Sequence, residues 1–335
     1  MEKKYNRGLV IGKFYPFHNG HKFLIETALK HTKSLTVIIC QTDRYRIPVA
    51  IRAGWISETF PGIDIRILHH DAALDSGSTK LSKIWAELTV KFLGFAPDVV
   101  FSSENYGEAY SSFMGSHHFL VDLKRSHIPI SATLVRSDVH KYWDYLPPAT
   151  RKYFLSKVVV LGAESTGTTT LAKDLAGYYQ TVWVPEYGRL YYEGKMFSAG
   201  SNVWTTDEFI HIARSQNSLE DALQKKANRI LICDTDAFAT TLWHERYLNK
   251  KSEKLNKLVK KEKPQLYILT DIDIPFVQDG TRDGEHLRTW MHHRFMEELK
   301  RNNLQYIVVS GDREKRLSLA VKEIERLTST FSPPV

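Results

Sequence analysis

Short runs of β-branched and aliphatic residues alternate along this chain with longer stretches in which apolar positions recur every three or four residues. Continuous apolar runs bounded by polar turns predict buried strands, and the 3–4 spacing predicts helices. In the first half the runs predict strands at Gly8–Gly12, Leu35–Cys40, Ile63–His69 and Val99–Ser102, with a short one near His118–Val121. Helices are expected over Gly20–Lys33, Ile51–Phe60 and Lys80–Gly94. In the second half strands are expected at Lys157–Leu161, Thr181–Val184, Arg229–Asp234, Leu266–Thr270 and Tyr306–Ser310, with a helix at Leu171–Tyr179. Strands that alternate with helices argue for doubly wound parallel sheets, one in each half. Pro147-Pro148 breaks regular structure, and a fresh strand follows at Lys157, so the expected domains are residues 1–155 and 156–335.

Composition leaves that picture standing. The 335 residues are 42% hydrophobic and 25% charged, which excludes a disordered, collagen-like or disulfide-stapled chain. The net charge is +8, divided as +6 before residue 156 and +2 after it, and suits phosphate-bearing ligands. The lysine-rich stretch Lys250–Lys263 also carries Glu253 and Glu262 and reads as a solvated helix face. Cys40 and Cys233 lie inside predicted strands without metal or redox spacing, as reduced core residues of a cytoplasmic protein would. The charged N-terminus does not read as a signal peptide, and no apolar run approaches the ~18 residues of a membrane span.

The first strand runs into Gly12-Lys13-Phe14-Tyr15-Pro16-Phe17-His18-Asn19-Gly20-His21, with a helix beyond. Ligands of open α/β sheets bind at the carboxyl ends of strands, and a helix start favours anions. Gly12 and Gly20 let backbone approach a phosphate. His18 and His21 can donate hydrogen bonds to charge building on it. The string GxFxPxHxGH resembles the first signature of the nucleotidyltransferase superfamily, whose members transfer AMP or CMP to phosphate-bearing substrates. The resemblance extends to Ser131-Ala132-Thr133-Leu134-Val135-Arg136, similar to the family's Ser-x-Thr-x-x-Arg loop. It implies that Gly12, Phe14, Gly20, Ser131 and Thr133 bind ATP, and that Lys13, His18, His21 and Arg136 stabilise charge in an in-line displacement that needs no base. It further implies nicotinamide mononucleotide as acceptor. Trp85 would then stack on the nicotinamide, Ser103, Glu104 and Tyr106 would face substrate and adenine, and Arg46, Arg52 and Trp55 would form a further patch. Taken alone, Trp85 reads more often as a core residue than as a stacking platform.

The second half opens with Gly162-Ala163-Glu164-Ser165-Thr166-Gly167-Thr168-Thr169-Thr170 after a strand. This is the frame GxxxxGK[ST] with Thr168 at the lysine position. The backbone cradle needs the glycines and the helix start rather than the lysine, so Gly162, Ser165, Gly167, Thr168, Thr169 and Thr170 are expected to hold ATP. Thr169 supplies the hydroxyl expected on Mg²⁺. Cys233-Asp234-Thr235-Asp236 ends a buried strand. Asp234 and Asp236 divide the roles of Mg²⁺ ligand and base in an order the sequence leaves open. Glu186, Tyr187 and Arg189 leave a strand as a substrate-holding group. Asp279-Gly280-Thr281-Arg282-Asp283-Gly284 with Arg288 reads as a lid whose arginines close over phosphates.

An adenylyltransferase followed by such a kinase resembles the bifunctional NadR family, from Gly8 to about Leu327. The fold implied is α/β, a Rossmann-like nucleotidyltransferase domain followed by a P-loop kinase-like domain. The activities implied are nicotinamide-mononucleotide adenylyltransferase and ribosylnicotinamide kinase, with Mg²⁺ as cofactor and ATP as co-substrate. Nicotinamide mononucleotide, nicotinamide riboside, ATP and NAD would be the small-molecule partners; a homo-oligomer is allowed. Some members begin with a DNA-binding helix-turn-helix. With a strand at Gly8 none is expected here, so neither nucleic acid nor membrane is an expected partner. Thr168 departs from the family pattern, and Arg189, Arg282 or Arg288 is expected to replace the lost charge. Three other readings remain: an adenylyltransferase with a kinase-dead nucleotide-binding half, a DNA-linked NAD sensor, and a transferase for a flavin or pantetheine phosphate.

Overall fold

The computed structural model describes residues 3–75, 79–199, 203–259, 263–279, 282 and 284–330. The described residues fall into two compact units that change over between Phe154 and Leu155.

The first unit contains β1 (Tyr5–Gly12), α1 (Asn19–His31), β2 (Thr32–Gln41), α2 (Val49–Thr59), β3 (Asp64–His69), α3 (Thr79–Leu93), β4 (Val99–Ser102), α4 (Gly107–Phe113), β5 (His117–Leu120), α5 (Ala132–Ser137) and α6 (Pro148–Phe154). Its five strands run parallel in the order β3-β2-β1-β4-β5. Leu9, Ile38, Leu68 and Val100 point to one face, where Ala86 and Leu93 of α3 and Tyr110 of α4 cover them. The expected helix end at Lys33 moves to His31. Thr32 turns at once to extended backbone while its hydroxyl still bonds the Ala28 carbonyl at 2.8 Å. The double proline does more than break structure. Pro148 is the first residue of α6, where a missing N–H costs nothing.

The second unit contains β6 (Ser156–Leu161), α7 (Thr168–Tyr178), β7 (Trp183–Val184), α8 (Tyr187–Ala199), α9 (Thr206–Leu223), β8 (Ile230–Asp234), α10 (Ala237–Leu248), α11 (Glu253–Asn256), β9 (Leu266–Thr270), α12 (Arg288–Arg301), β10 (Tyr306–Val309) and α13 (Arg313–Thr330). Its strands are also parallel, in the order β10-β9-β6-β8-β7. Alternation along the strands divides the core. Val159, Leu161, Leu231, Cys233 and Leu269 pack under α10 and α12, while Val158, Val160, Ile232 and Ile268 pack under α7 and α13. Such strands have no polar face, so their sequences read as unbroken apolar runs. The expected solvated helix at Lys250–Lys263 is replaced by the single-turn α11, with Leu255 buried and Lys251 paired to Glu298 at 3.1 Å; residues 260–262 lie outside the described residues. No helix among the described residues is long and apolar enough to cross a membrane.

In each unit the first strand is central, with later strands on both sides of it. The crevice at its carboxyl end is the switch point where ligands of such sheets bind.

Candidate active sites

At the end of β1 the loop 13–18 and the start of α1 line a cleft of about 650 Å³. His18 is the N-cap of α1, and its Nδ1 accepts the backbone N–H groups of Gly20 (3.1 Å) and His21 (3.3 Å). An Nδ1 that accepts leaves the imidazole proton on Nε2. The His21 ring stacks on His18 at 3.7 Å and meets Phe14 edge-on at 5.0 Å. Burial, then the nearness of His21 and of the Arg125 charge, hold His18 well below the ordinary histidine value. Burial and Arg125 push His21 down to about 3. Both rings are therefore neutral N–H donors near pH 7, and the cleft wall carries its positive charge elsewhere.

That charge comes from Lys13, Arg44, Arg125 and Arg136, all on the wall. Lys13 Nζ lies 3.0 Å from Asp75, which also accepts from the Tyr45 hydroxyl at 2.9 Å and contacts His70 Nε2 at 3.1 Å. Partial burial works to raise the Asp75 carboxyl, but these hydrogen bonds outweigh it and hold it below the usual carboxylate range. Arg136 donates to the Tyr15 carbonyl (2.7 Å) and to Thr133 Oγ1 (3.2 Å), tying α5 to the loop after β1. Ser131 caps α5 by accepting from the Leu134 N–H at 3.2 Å.

Gly12, Lys13, Phe14, His18, Gly20, His21, Trp85, Ser103, Glu104, Tyr106, Ser131, Thr133 and Arg136 all line this one cleft. Trp85 belongs to wall and core at once. It packs against the α3 cluster, its indole N–H donates to the Leu74 carbonyl at 2.9 Å, and its ring lies 4.7 Å from His70. Two expected substrate residues do not line the wall. Arg46 is exposed to solvent, and it touches the wall through its backbone N–H, which donates to the Tyr15 hydroxyl at 2.9 Å. Arg52 is fully buried and donates to the carbonyls of Lys13 (2.6 Å), Cys40 (3.0 Å) and Ile47 (3.3 Å) and to Gln41 Oε1. With its donors used on backbone, Arg52 fastens the ends of β1 and β2. Trp55 of the same patch is buried beside Phe154 at 6.1 Å. The sequence reading missed Arg44, Tyr45, Asp75 and Arg125, which sit in loops without a recognisable spacing.

In the second unit the loop between β6 and α7 lines a cleft of about 210 Å³. A Cβ on Gly162 would overlap Thr270 Oγ1, and Gly167 at the N-cap of α7 has φ +82, which a side chain would strain. Thr169 Oγ1 donates to Asp234 Oδ2 at 2.5 Å, and the Thr168 hydroxyl bonds the same carboxylate. Ser165 Oγ accepts from the Val277 N–H (2.8 Å) and from Arg282 Nη1 (3.2 Å). Glu186, from the loop after β7, faces Asp234 across the cleft. Burial pushes both carboxyls upward; the Asp234 charge adds to the rise at Glu186, and the hydrogen bonds from Thr169 and Thr168 oppose it at Asp234.

Three expectations are corrected here. Asp236 is not on the cleft wall. Its Oδ1 caps α10 by accepting the Ala239 N–H at 3.0 Å, and its Oδ2 accepts the buried Tyr267 hydroxyl at 2.9 Å. Tyr187 turns its hydroxyl to His211 at 3.1 Å, away from the cleft. Arg288 is also off the wall; it donates to the carbonyls of Ile274 (2.9 Å) and Ser165 (3.4 Å). Of the expected lid, Asp279, Arg282 and Gly284 are described, while Gly280, Thr281 and Asp283 lie outside the described residues. Gly162, Ser165, Gly167, Thr168, Thr169, Thr170, Glu186, Arg189, Asp234 and Arg282 do share the cleft. Its far wall is aromatic, built from Tyr192, Trp204, Phe209, Trp243 and Tyr247, with Trp204 stacked on Tyr192 at 5.8 Å. No spacing rule in the sequence marked those rings, because three helices and the loop before α9 contribute them.

Fold and sites together define a two-unit nucleotide-handling enzyme, nucleotidyltransferase-like in its first unit and P-loop kinase-like in its second. Residues 8–74 match the model of the citrate lyase ligase C-terminal domain, and residues 157–316 match that of an AAA domain. The trifunctional NAD biosynthesis/regulator protein NadR of Escherichia coli (strain K12) is 28% identical over 329 residues, covering 91% of this chain and 79% of that protein. Its namesake in Salmonella typhimurium (strain LT2) is 27% identical, covering 96% and 83%. A crystal structure of NadR protein in complex with NR superposes with a TM-score of 0.77 at 21% identity, covering 99% of this chain and 98% of that one. Another, with NAD and AMP-PNP, has a TM-score of 0.75 at 20% identity, covering 98% and 97%. The chain is similar to these NadR proteins along nearly all of its length.

Proposed function

We propose that the first unit transfers AMP from ATP to nicotinamide mononucleotide, releasing pyrophosphate and forming NAD, and that the second phosphorylates nicotinamide riboside at its 5′-hydroxyl. The observation that carries this reading is that each central strand ends in a phosphate-sized loop at a helix start, and that each loop carries the polar groups its half-reaction needs.

In the first unit the attacking group is a phosphate that is already anionic, so no base is required. Positioning and charge stabilisation do the work. His18 and His21 donate from neutral rings to oxygens on which charge accumulates, and Lys13 exchanges Asp75 for phosphate. Arg136 is aimed by Thr133 and the Tyr15 carbonyl. The half-buried Trp85 ring offers a face for the nicotinamide.

In the second unit the 5′-hydroxyl must lose a proton, and Glu186, with its raised pKa, is placed to accept it. The Thr169 hydroxyl and Asp234 carboxylate are hard oxygen donors in contact with each other. They fit Mg²⁺, which takes one or two protein oxygens plus phosphate and water. When bound, the ion would neutralise phosphate charge. The aromatic wall suits the cationic pyridinium of the riboside, which gains from ring faces and from the two carboxylates nearby. The buried cysteines Cys40 and Cys233 fit a cytoplasmic setting.

The test is chromatography of products after Mg²⁺-ATP is added with the riboside in one tube and the mononucleotide in another. NAD in both supports both activities. NAD from the mononucleotide alone would favour a silent second site, the reading that Thr168 motivates. NAD in neither would overturn the substrate assignment.

A further inference from the structure

The second cleft lacks the P-loop lysine, and its wall is acidic. Glu164, Glu186 and Asp234 line it, and the basic side chains among the described lining residues are Arg189 and Arg282. Other cations bond the loops around the cleft: Arg246 pairs with Glu164 of the wall at 2.8 Å, Arg288 bonds the carbonyls of Ile274 (2.9 Å) and Ser165 (3.4 Å), and Arg316 bonds the carbonyls of Thr166 (2.6 Å), Gly311 and Asp271. Lys173, one turn into α7, is exposed and lies over the Trp183 ring at 5.0 Å. The two arginines on the wall share one carboxylate oxygen: Asp279 Oδ2 lies 2.7 Å from Arg189 Nη2 and 3.2 Å from Arg282 Nε. Their placements differ. Arg189 leaves the first turn of α8, beside Glu186 and paired to Glu193 at 3.0 Å. Arg282 reaches the P-loop itself: its Nη1 donates to the Val277 carbonyl at 2.5 Å and to Ser165 Oγ at 3.2 Å, and its Nε stays on Asp279.

We infer that Arg282 supplies to the β/γ-phosphates of ATP the positive charge that a lysine at position 168 would give, with Asp279 as its counter-ion until phosphate replaces it. This rests on the kinase reading above and assigns the residue that makes a lysine-free P-loop competent. A guanidinium hydrogen-bonded to the loop is the right chemistry, because it can meet two phosphate oxygens at once and stays charged. Arg189 belongs to the substrate side of the same cleft. Asp279 keeps both cations from collapsing onto Glu186 and Asp234, and it is the group that incoming phosphate must displace.

The decisive experiment is a rescue. In the full chain, Arg282→Ala should lower riboside phosphorylation ~10²–10³-fold, the usual cost of losing a group that stabilises transition-state charge. Arg282→Lys should retain more activity than Arg282→Ala, and Thr168→Lys in the Arg282→Ala background should recover at least about tenfold, one order of that loss. Mononucleotide adenylylation should stay unchanged in every variant, and a thermal melt that keeps the wild-type transition of the second unit shows that the substituted unit folds. Calorimetric titration with AMP-PNP should resolve two sites in the wild type, with one weakened by Arg282→Ala and strengthened again by Thr168→Lys. Arg282→Ala within about threefold of wild type in both rate and AMP-PNP binding, far below the usual range, would overturn the inference. So would a loss that neither lysine variant relieves. A wild-type chain that never phosphorylates the riboside would sink the kinase reading alone, since the AMP-PNP titration still reports on Arg282.

Discussion

The two units answer one problem, holding a polyphosphate at the end of a central strand, with different charge balances. The described lining of each cleft holds three carboxylates, Asp75, Glu104 and Asp122 in the first and Glu164, Glu186 and Asp234 in the second. The first sets four cations against them and keeps two imidazoles neutral by burying them, whereas the second sets only two arginines among its described lining residues, from α8 and from the segment before α12, and raises the pKa of two of its carboxyls. The contrast follows from the chemistry. An attacking phosphate needs no base and repels the triphosphate it attacks, so cations and neutral donors serve best. An attacking hydroxyl needs a proton acceptor, and a carboxylate serves only if its pKa is raised by burial and a like charge. Whole-chain charge, +6 before residue 156 and +2 after it, already leans the same way.

Glu186→Gln should break the comparison most sharply. Riboside phosphorylation is expected to fall ~10²–10⁴-fold with mononucleotide adenylylation intact. Coupled assays of the two half-reactions would check it, and near-normal phosphorylation would remove Glu186 as the base.

The mirror experiment is His18→Ala or His21→Ala. Adenylylation should drop ~10²–10³-fold while riboside phosphorylation is kept. His18→Ala should also cost ~1 kcal/mol of stability through the lost cap of α1, measurable by denaturation; His21→Ala should not share that cap penalty.

The pH dependence sharpens the contrast. Phosphorylation should decline on acidification through about 8, the value to which burial and the Asp234 charge push Glu186, as that carboxyl takes up its proton. Adenylylation should show no such limb from His21, whose folded value is about 3. Stability should carry the histidine signature instead. As pH falls from 6.5 toward 3, the unfolded chain takes up a proton that folded His21 refuses, so the first unit loses stability across that window.

The smallest effect on rate is expected from Asp236→Ala. It removes an N-cap and strands the Tyr267 hydroxyl, which should cost roughly 2–4 kcal/mol of stability when the two losses are combined. Phosphorylation by the protein that remains folded should stay within a few-fold of wild type. Parallel thermal melts and kinetics would separate this from Asp234→Asn, which should leave the melt nearly unchanged and lower the rate.

Much of the fold was readable because both sheets are parallel and covered on two faces. Their strands then appear as unbroken apolar runs, and Val99–Ser102 and Leu266–Thr270 have the bounds the pattern predicts. The two phosphate loops were equally readable, since each is one continuous segment in which neighbours in sequence are neighbours in space: His18 is locked by Gly20 and His21, and Thr168 and Thr169 follow Gly167. Residue type and local spacing determined these, because a strand end, a helix cap and a backbone cradle are short-range objects. Only the tertiary structure decided which side chains beyond the loops reach ligand and which serve the frame. Arg52 carries a substrate-like charge yet spends it on the carbonyls of two strand ends. Asp234 and Asp236 are two residues apart, but one meets Thr169 and the other caps a helix, because the strand ends between them. Asp75 at the end of a 3-10 turn, and Trp204 and Asp279 from loops, enter their sites from stretches whose sequence holds no period, and they meet residues as far off as Lys13 and Arg189. A side chain's role there depends on burial and on which charges the fold brings within a few ångströms, and neither quantity is written in the order of residues along the chain.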